Sequence, residues 1–296
     1  MEIERYLIEM KELVDEALDR YLPQDNEFPS IIYESMRYSL FAGGKRVRPI
    51  LIIASAETIG GRREDVLPFA AGVEMIHTYT LIHDDLPALD NDDLRRGKLT
   101  NHKVFGEAIA ILAGDALLTY AFQLMTDHNL MSTIPPSVLL SAVNEMAMAV
   151  GSLGTIGGQV VDIQSEGKEV DMTTIEYIHA HKTGSLIMAS IKCGAILSEG
   201  SSDERDALIS YGKDIGLAFQ IIDDILDLEG DEKRLGKAIG SDIENKKVTY
   251  PALFGVEESR RMANRLVEDG ISSLKIFGSK ADVLRDIANF FISRNF

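Results

Sequence analysis

Two groups of aspartates in this sequence have the composition of a metal site. The residues are, in chain order, Asp84, Asp85, Asp90, Asp223, Asp224 and Asp227. Carboxylates that cluster without cysteines suit hard ions, above all Mg²⁺, which usually keeps some waters and bridges protein acids to phosphate. Such a site would stabilise a departing diphosphate more than the intact ester, which favours ionisation of a C–O bond. The alternative for one acidic run alone is a solvated loop.

The spacing of the aspartates predicts how each group is held. Pro87 clashes with the preceding turn if a helix continues through it, so the helix must end or deform within the first group. In an unbroken helix Asp84 and Asp90 would project about 240° apart, whereas after a break Asp90 can fold back toward Asp84. Asp223 and Asp227 are four residues apart without a proline between them, so one helical face presents both.

Basic residues beside two glycines predict a local anion site in an acidic protein. The formal net charge of -17 repels nucleic acid and anionic lipid, so a phosphate must be bound by a cluster of cations. Lys45, Arg46 and Arg48 follow Gly43-Gly44 at the expected start of a helix, where free backbone N–H groups also attract anions. The alternative is three solvated surface charges.

His77 lies seven residues before Asp84, nearly two helical turns, so both residues project from about the same face. A lone histidine on an apolar helix is usually a core residue. For His77, contact with an anion is an alternative of equal weight. The cationic group that could bind a second diphosphate without metal consists of Lys45, Arg48, His77 and Arg96.

Apolar residues at helical spacing predict that helices carry nearly all of these side chains. The expected helices are residues 3–18, 29–41, 66–82, 106–128, 136–150, 177–197, 203–228, 257–268 and 281–293, with a charged loop at 229–250. No sustained alternation of apolar and polar residues indicates a strand. We therefore predict an all-α fold without a sheet, in a single domain over residues 1–296.

The N-terminus and the single cysteine indicate the compartment. Cys193 lies in an apolar run, cannot form an intramolecular disulfide, and is expected to be buried in a protein from a reducing compartment. No signal peptide is evident, and the apolar stretches are expected to be too short to span a membrane. We therefore expect a soluble, cytoplasmic protein without nucleic-acid or membrane partners.

The motifs resemble, in order and over nearly the whole chain, those of the trans-prenyltransferases, the short-chain isoprenyl diphosphate synthases of the bacterial farnesyl diphosphate synthase type. The matching segments are residues 43–49, 84–90, 95–97, 158–159, 182–183, 219–220, 223–227 and 247–251. The resemblance implies a helical bundle around a deep central cavity, a homodimer and a requirement for Mg²⁺. It also implies that isopentenyl diphosphate condenses head-to-tail with dimethylallyl or geranyl diphosphate.

The resemblance also assigns roles to individual residues. The allylic diphosphate would lie between the two aspartate motifs and would be held in addition by Arg95, Lys182 and Lys237. Isopentenyl diphosphate would be bound by Lys45, Arg48, His77 and Arg96. The residues that line or close the site would be Thr183, Phe219, Gln220 and Lys247. Those that take part directly in catalysis would be Asp84, Asp85, Asp90, Arg95, Lys182, Asp223 and Lys237.

Tyr79 and Thr80 are the positions expected to set the product length. Tyr79 lies five residues, roughly 7.5 Å along a helix, before Asp84. Its ring could block further growth of the chain, as this position does in similar farnesyl synthases, which predicts a fifteen-carbon product. The alternatives are that Tyr79 only packs within the helix bundle and that the product is geranylgeranyl diphosphate.

Three other classes of protein compete with this interpretation. His83-Asp84 could belong to a metal-dependent phosphohydrolase, although the second aspartate motif would then be unexplained. Glu74 and His77 match half of a di-iron bundle motif, without a convincing partner motif. A non-catalytic subunit that only binds prenyl diphosphate would be expected to lack some metal or basic ligands, and this chain has all of them.

Overall fold

The structure is a computed structural model that describes residues 3–168, 170–229 and 249–293. Over these residues the fold is all-α, as predicted, apart from one pair of two-residue strands. Lys237 and Lys247, both predicted to bind substrate, lie outside the described residues, as does most of the predicted loop at 229–250.

The predicted helical segments are helical in the structure, and the helices differ from the predictions mainly at their ends. They are α1 (Ile3–Tyr21), α2 (Ser30–Leu40), α3 (Val47–Ile59), α4 (Arg63–Asp84), α5 (Asn101–Phe105), α6 (Glu107–Met125), α7 (Pro136–Val150), α8 (Thr155–Ser165), α9 (Met172–Ile178), α10 (Ser185–Leu197), α11 (Ser202–Glu229), α12 (Tyr250–Phe254), α13 (Val256–Ser273) and α14 (Asp282–Ile292). A π-helix, His179–Gly184, joins α9 to α10, and a 3-10 helix, Leu274–Ala281, precedes α14.

The chain packs as two compact units. The first contains α1, α2, the start of α3 and Arg63–Pro135, and the second contains Ala54–Arg62 and the elements from α7 onward. In the first unit α4 packs along α6, and both helices are rich in buried aliphatic and small residues. In the second unit α11 packs against α10 and α13, and α10 also packs against α7. The buried Cys193, on α10, confirms the packing role expected of it, and burial raises the pKa of its thiol.

The small sheet is a feature that the sequence analysis missed. Strand β1 (Leu94–Arg95) pairs antiparallel with β2 (Lys98–Leu99). The two residues between them, Arg96 and Gly97, both have positive φ, at 53° and 74°. This is the conformation of a type I′ hairpin turn, whose twist matches that of the strands it joins. Strands of two residues are too short to show an alternating pattern, which explains the omission.

Two helical stretches are more apolar than the sequence analysis allowed. Residues Glu107–Met125 and Pro136–Ser165 are long and apolar enough to cross a membrane by length and composition alone. That property is weak evidence for insertion, because packed helices of globular proteins share it. The expectation that every apolar stretch is too short to span a membrane therefore does not hold for the length of these two.

Candidate active site

The first aspartate motif lies at the C-terminal end of α4. The helix ends at Asp84, and the backbone N–H of Asp90 donates a hydrogen bond to the carbonyl oxygen of Asp84 at 2.9 Å. The amides of Leu89 and Asn91 both donate to the carbonyl of Leu86, at 2.9 Å and 3.1 Å. The predicted break at Pro87 is confirmed, and it folds Asp90 back beside Asp84, with both residues half-buried.

Asp85 has a different environment from its two neighbours in the motif. It is 3% exposed, and Arg95 donates to its Oδ1 from Nε at 2.6 Å and from Nη2 at 2.5 Å. Arg95 also contacts Asp92 at 3.4 Å. Burial raises the pKa of Asp85, and the hydrogen bonds from Arg95 oppose that shift. Asp85 is therefore placed to hold Arg95, whereas Asp84 and Asp90 are the motif residues with partly accessible carboxylates.

The side chain of His83 contacts α6 at the C-terminal end of α4. Its Nε2 lies 3.1 Å from the carbonyl oxygen of Ile111, and a Cβ added to Gly114 would lie 2.2 Å from the same Nε2. The ring also meets Tyr79 edge to face, with centroids 5.5 Å apart. Because this nitrogen faces a backbone carbonyl, His83 is not oriented to share a metal with Asp84 through it, which counts against the phosphohydrolase alternative.

Tyr79 and Thr80, the expected determinants of product length, occupy different environments. Tyr79 is 6% exposed, and burial, followed by the charges of Asp84 and Asp115, raises its pKa to about 12. Thr80 is half-buried and donates to the carbonyl of His77 at 2.7 Å. Tyr79 is thus a neutral, buried ring one turn before His83, while the hydroxyl of Thr80 is used within the helix.

The cationic group forms around the glycine turn before α3. Gly43 and Gly44 have φ angles of 115° and 119°, which side chains with a Cβ rarely adopt. The guanidinium of Arg96 lies against this turn and donates from Nη1 to the carbonyl oxygen of Gly43. A Cβ on Gly44 would come within 2.7 Å of that guanidinium. The two glycines therefore let an arginine from the hairpin approach the turn that carries Lys45.

His77 sits among these arginines. Burial, and then the charges of Arg48, Arg96, Arg95 and Arg46, lower the pKa of His77 well below its usual 6.5. The imidazole is therefore neutral at pH 7 and can donate one N–H to an anion. The structure thus brings together Arg48, His77 and Arg96, three of the four residues predicted to hold a second diphosphate. Lys45, the fourth, is exposed on the same turn.

Arg46 does not share the character of the two cations beside it. It is 2% exposed and binds Glu74 at 2.8 Å and Asp15 at 2.7 Å. The prediction that Lys45, Arg46 and Arg48 are three similar charges at the start of α3 was therefore wrong for Arg46. The same ion pair uses the Glu74 carboxylate, so the di-iron alternative loses its proposed ligand.

In the second unit, the aspartates of α11 also differ from one another. Asp223 is half-buried, whereas Asp224 and Asp227 are each 3% exposed. Asp224 accepts hydrogen bonds from Gln220 Nε2 at 3.0 Å and from the backbone N–H of Tyr250 at 3.2 Å. His179 Nε2 lies 3.6 Å from the same carboxylate. Asp224 is thus fixed by its neighbours, and Asp223 is the more accessible residue of the pair.

Lys182 lies in the π-helix and forms an ion pair with Asp162 at 2.6 Å. The π-helix runs close to α8, because a Cβ on Gly158 would lie 2.2 Å from the backbone nitrogen of Lys182. A cavity of about 120 Å³ opens beside this ion pair. The predicted site residues that line it are Lys182, Thr183, Gln220 and Asp224.

Two residues of this unit have contacts that the sequence analysis did not predict. Phe219, predicted to line the site, packs edge to face against Phe291 of α14, with ring centroids 5.1 Å apart. Asp162, which was not proposed as a site residue, lines the cavity and pairs with Lys182. Its position three residues after Gln159 on one helical face was the available signal.

The carboxylates of the site could bind Mg²⁺ only together with another ligand, such as the phosphate of a bound substrate. Among the described residues, no three acidic, histidine or cysteine side chains are arranged to hold a metal by themselves. Mg²⁺ is commonly bound through one or two carboxylates together with waters and substrate phosphates. The oxygen-only donors Asp84 and Asp90 match that requirement.

This chain is similar to several proteins named as prenyl diphosphate synthases. A geranylgeranyl diphosphate synthase from Cyanophora paradoxa is 47% identical over 291 residues, covering 98% of this chain and 96% of that protein. A farnesyl diphosphate synthase from Geobacillus stearothermophilus is 50% identical over 256 residues, covering 86% of each. The crystal structure of an FPP/GFPP synthase from Zymomonas mobilis matches with a TM-score of 0.87 and 37% identity, covering 98% of this chain and 99% of that one.

The all-α fold and these relatives define a trans-prenyltransferase, as the motifs predicted. The polyprenyl synthetase family model matches residues 29–282, and the chain belongs to that family. It is a short-chain prenyltransferase that elongates prenyl diphosphates. Its relatives carry the names of both farnesyl and geranylgeranyl synthases, so the product length is a separate question.

Proposed function

We propose that this prenyltransferase condenses isopentenyl diphosphate twice in succession with dimethylallyl diphosphate, or once with geranyl diphosphate, and gives farnesyl diphosphate with one pyrophosphate released per condensation. The observation that carries this proposal is the folded-back pair of Asp84 and Asp90 in a chain of this family. The allylic C–O bond ionises, the isopentenyl double bond attacks the cation, and the departed diphosphate accepts the proton. Residues 1–296 are proposed to act as one polyprenyl synthase domain.

The two aspartate motifs are proposed to provide for the metal that this reaction requires, with different roles for their members. Mg²⁺, when bound, neutralises the charge that develops on the departing diphosphate. Asp84 and Asp90 in the first unit, and Asp223 in the second, have the accessible carboxylates. Asp85, Asp224 and Asp227 are buried, and we propose that Asp85 and Asp224 contribute chiefly by orienting Arg95 and Gln220, their hydrogen-bond partners.

Lys182 and Thr183 are proposed to hold the allylic diphosphate at the cavity beside α8. The ion pair with Asp162 keeps the Lys182 ammonium at the cavity wall, where it can form charge-assisted hydrogen bonds to phosphate oxygens. Gln220 is oriented by Asp224 on the same wall. Lys237, Lys247 and Phe219 keep their predicted substrate-binding roles as part of this proposal.

The isopentenyl diphosphate is proposed to bind the cationic group of Lys45, Arg48, His77 and Arg96. A neutral His77 adds a hydrogen-bond donor without adding to the repulsion among the arginines. Arg95, which pairs with Asp85, precedes Arg96 directly in the chain, so the hairpin carries one arginine for each diphosphate. This arrangement would allow the second substrate to bind without a metal ion.

The farnesyl product is proposed from the buried ring of Tyr79, which lies before the aspartates on α4. A bulky side chain there would stop the growing chain at fifteen carbons. Geranylgeranyl diphosphate is the second candidate, because relatives with that name are similar to this chain over nearly its whole length. Thr80, whose hydroxyl bonds within the helix, is proposed to have the smaller effect.

A homodimer in the cytoplasm is also proposed. Helix α7 exposes Leu140 at 69% and Met148 at 52%, and the turn between α7 and α8 exposes Leu153 at 73%. An apolar surface of this kind is typical of a face covered by another subunit. Light scattering of the purified protein should give twice the chain mass of 32.6 kDa, and Leu140→Glu with Leu153→Glu should give a monomer.

A single assay tests the reaction. The protein is supplied with isopentenyl diphosphate and labelled dimethylallyl or geranyl diphosphate, with Mg²⁺ or with a chelator, and the labelled products are separated by length. We expect a fifteen-carbon diphosphate with Mg²⁺ and none with the chelator. Inorganic phosphate without a longer product would indicate a phosphohydrolase, and substrate binding without turnover would indicate a non-catalytic subunit.

A further inference from the structure

Arg46 is the buried member of the cationic turn, and its guanidinium joins three elements of the first unit. Nε donates to Asp15 of α1 at 2.7 Å, Nη1 to Glu74 of α4 at 2.8 Å, and Nη2 to the carbonyl oxygen of Leu40, at the end of α2, at 2.7 Å. Its backbone has a φ of 53°, in the left-handed region that residues with a Cβ seldom occupy.

These contacts are specific to arginine. A buried charge is tolerated when each donor has a partner, and here three nitrogens of one planar group reach acceptors in three directions. A lysine carries its charge at one point and cannot span the same acceptors. Because the chain also adopts an unfavourable φ at this residue, the turn is held by the side chain rather than by backbone preference alone.

The position of Arg46 couples this anchor to the cationic group. Lys45 precedes it directly and Arg48 follows two residues later, so both are carried by the anchored turn. Glu74 is three residues before His77, about one turn earlier on α4. The Arg46–Glu74 ion pair therefore fixes the distance between the turn that carries Lys45 and Arg48 and the helix that carries His77.

We propose that Arg46 is a positioning residue for the subsite that binds the diphosphate of isopentenyl diphosphate. This inference rests on the proposed function, since it assigns the affected subsite to that substrate. Arg46 touches neither substrate. Its loss displaces the cations that do, and it leaves the aspartates and Lys182 in place.

The test measures isopentenyl diphosphate affinity and steady-state kinetics for Arg46→Lys and Glu74→Gln. For Arg46→Lys we expect the dissociation constant and the KM for isopentenyl diphosphate to rise about tenfold or more, because displacement of binding groups by about 1 Å is that costly. The KM for the allylic substrate should stay within about twofold. Glu74→Gln keeps an acceptor for Arg46 and should give an intermediate rise.

A matched control is Arg63→Lys. Arg63 also joins α4 to α1, through an ion pair with Glu9 at 3.2 Å, but the pair is largely exposed. Arg63→Lys should leave both KM values unchanged. If Arg46→Lys has a lower kcat but unchanged KM values for both substrates, then Arg46 only stabilises the fold. That result would overturn the inference.

Calorimetry with isopentenyl diphosphate alone separates the two proposals. If the native protein binds this ligand but forms no prenyl product, the proposed function fails, and the affinity of Arg46→Lys still decides the inference. If the native protein forms product and Arg46→Lys binds the ligand with native affinity, the inference fails alone. Absence of binding to the native protein overturns both. If Arg46→Lys does not fold, the milder Glu74→Gln decides, with native affinity again contradicting the inference.

Discussion

The backbone N–H of Asp90 donates to the carbonyl oxygen of Asp84 at 2.9 Å, which closes a seven-residue loop at the end of α4. The loop brings the backbone of Asp90 next to that of Asp84, whereas in a continuous helix the two residues would project about 240° apart. It also leaves Asp85, between them in sequence, directed to Arg95 instead. The three aspartates of one short motif therefore have two different functions to test.

Replacing Asp84 or Asp90 with asparagine should lower kcat about a hundredfold or more, because it removes charge that would bind the metal next to the developing diphosphate. Both variants should also need more Mg²⁺ for half-maximal rate. Asp93→Asn is the matched control, because Asp93 is exposed and pairs with Lys103 at 2.6 Å. Native rates in Asp90→Asn would contradict the assignment.

Asp85→Asn should affect the enzyme in a different way. The change leaves Arg95 without the carboxylate that binds it at 2.5 Å, so activity should fall through misplacement of the arginine. The Mg²⁺ concentration for half-maximal rate should stay close to the native one. A magnesium titration of initial rates distinguishes the two cases, and a shift as large as that of Asp84→Asn would make Asp85 a metal ligand.

Tyr79→Ala should lengthen the product toward twenty carbons by removing the buried ring. It should also lower the free energy of unfolding by about 3 kcal/mol, since a large buried side chain is lost. Tyr79→Phe keeps the ring and should keep the native product distribution. Chromatography of the labelled products measures the outcome, and an unchanged distribution in Tyr79→Ala would reject the role of Tyr79 in product length.

Gly114→Ala should displace the His83 ring, because the new Cβ would lie 2.2 Å from Nε2. Overpacking of this kind costs about 2 kcal/mol of stability, and the shift at the end of α4 should lower kcat about tenfold. A second change, His83→Ala, relieves the clash, so the stability losses of the two changes should not add. Gly270→Ala is the control, since its Cβ would meet atoms only at 3.4 Å or beyond. Additive losses in the double variant would contradict a direct clash.

The stability of the first unit should depend on pH through Asp15. Burial alone would raise the pKa of this carboxyl, but hydrogen bonds and charges from Lys11 and Arg46 outweigh burial and lower it below 3.8. A lowered folded pKa stabilises the protein above the unfolded value, and this contribution is lost as the pH falls through the folded pKa. The difference in unfolding free energy between the native protein and Asp15→Asn should be constant above about pH 5 and shrink below pH 3.8. A difference that is independent of pH would contradict this.

Much of the helical framework could be predicted from local patterns. Apolar periodicity placed the long helices within a few residues, and the rigid ring of Pro87 predicted where α4 ends, because both are properties of neighbouring residues. Local patterns could not predict that Lys45 is exposed whereas the neighbouring Arg46 is buried. The burial of Arg46 depends on Asp15 and Glu74, which are brought close only by tertiary packing.

The same limit applies to the second unit. The Lys182-Thr183 motif was visible in the sequence, but the ion pair with Asp162 depends on the close approach of α8 to the π-helix at Gly158. Phe219 was assigned by its place in a motif, and the structure turns its ring toward Phe291. The motifs therefore gave candidate site positions along the chain, but not the partner of each side chain, which depends on tertiary packing.

The π-helix His179–Gly184 makes the length of this segment as important as its composition. Such a turn contains one residue more than an α-helical turn, as if one residue had been inserted into a regular helix. Loss of a single codon here, for example that of the exposed Ala180, would allow α9 and α10 to merge into one uninterrupted helix. The wide turn would then be lost, and with it the local path of the backbone that brings Lys182 to Asp162.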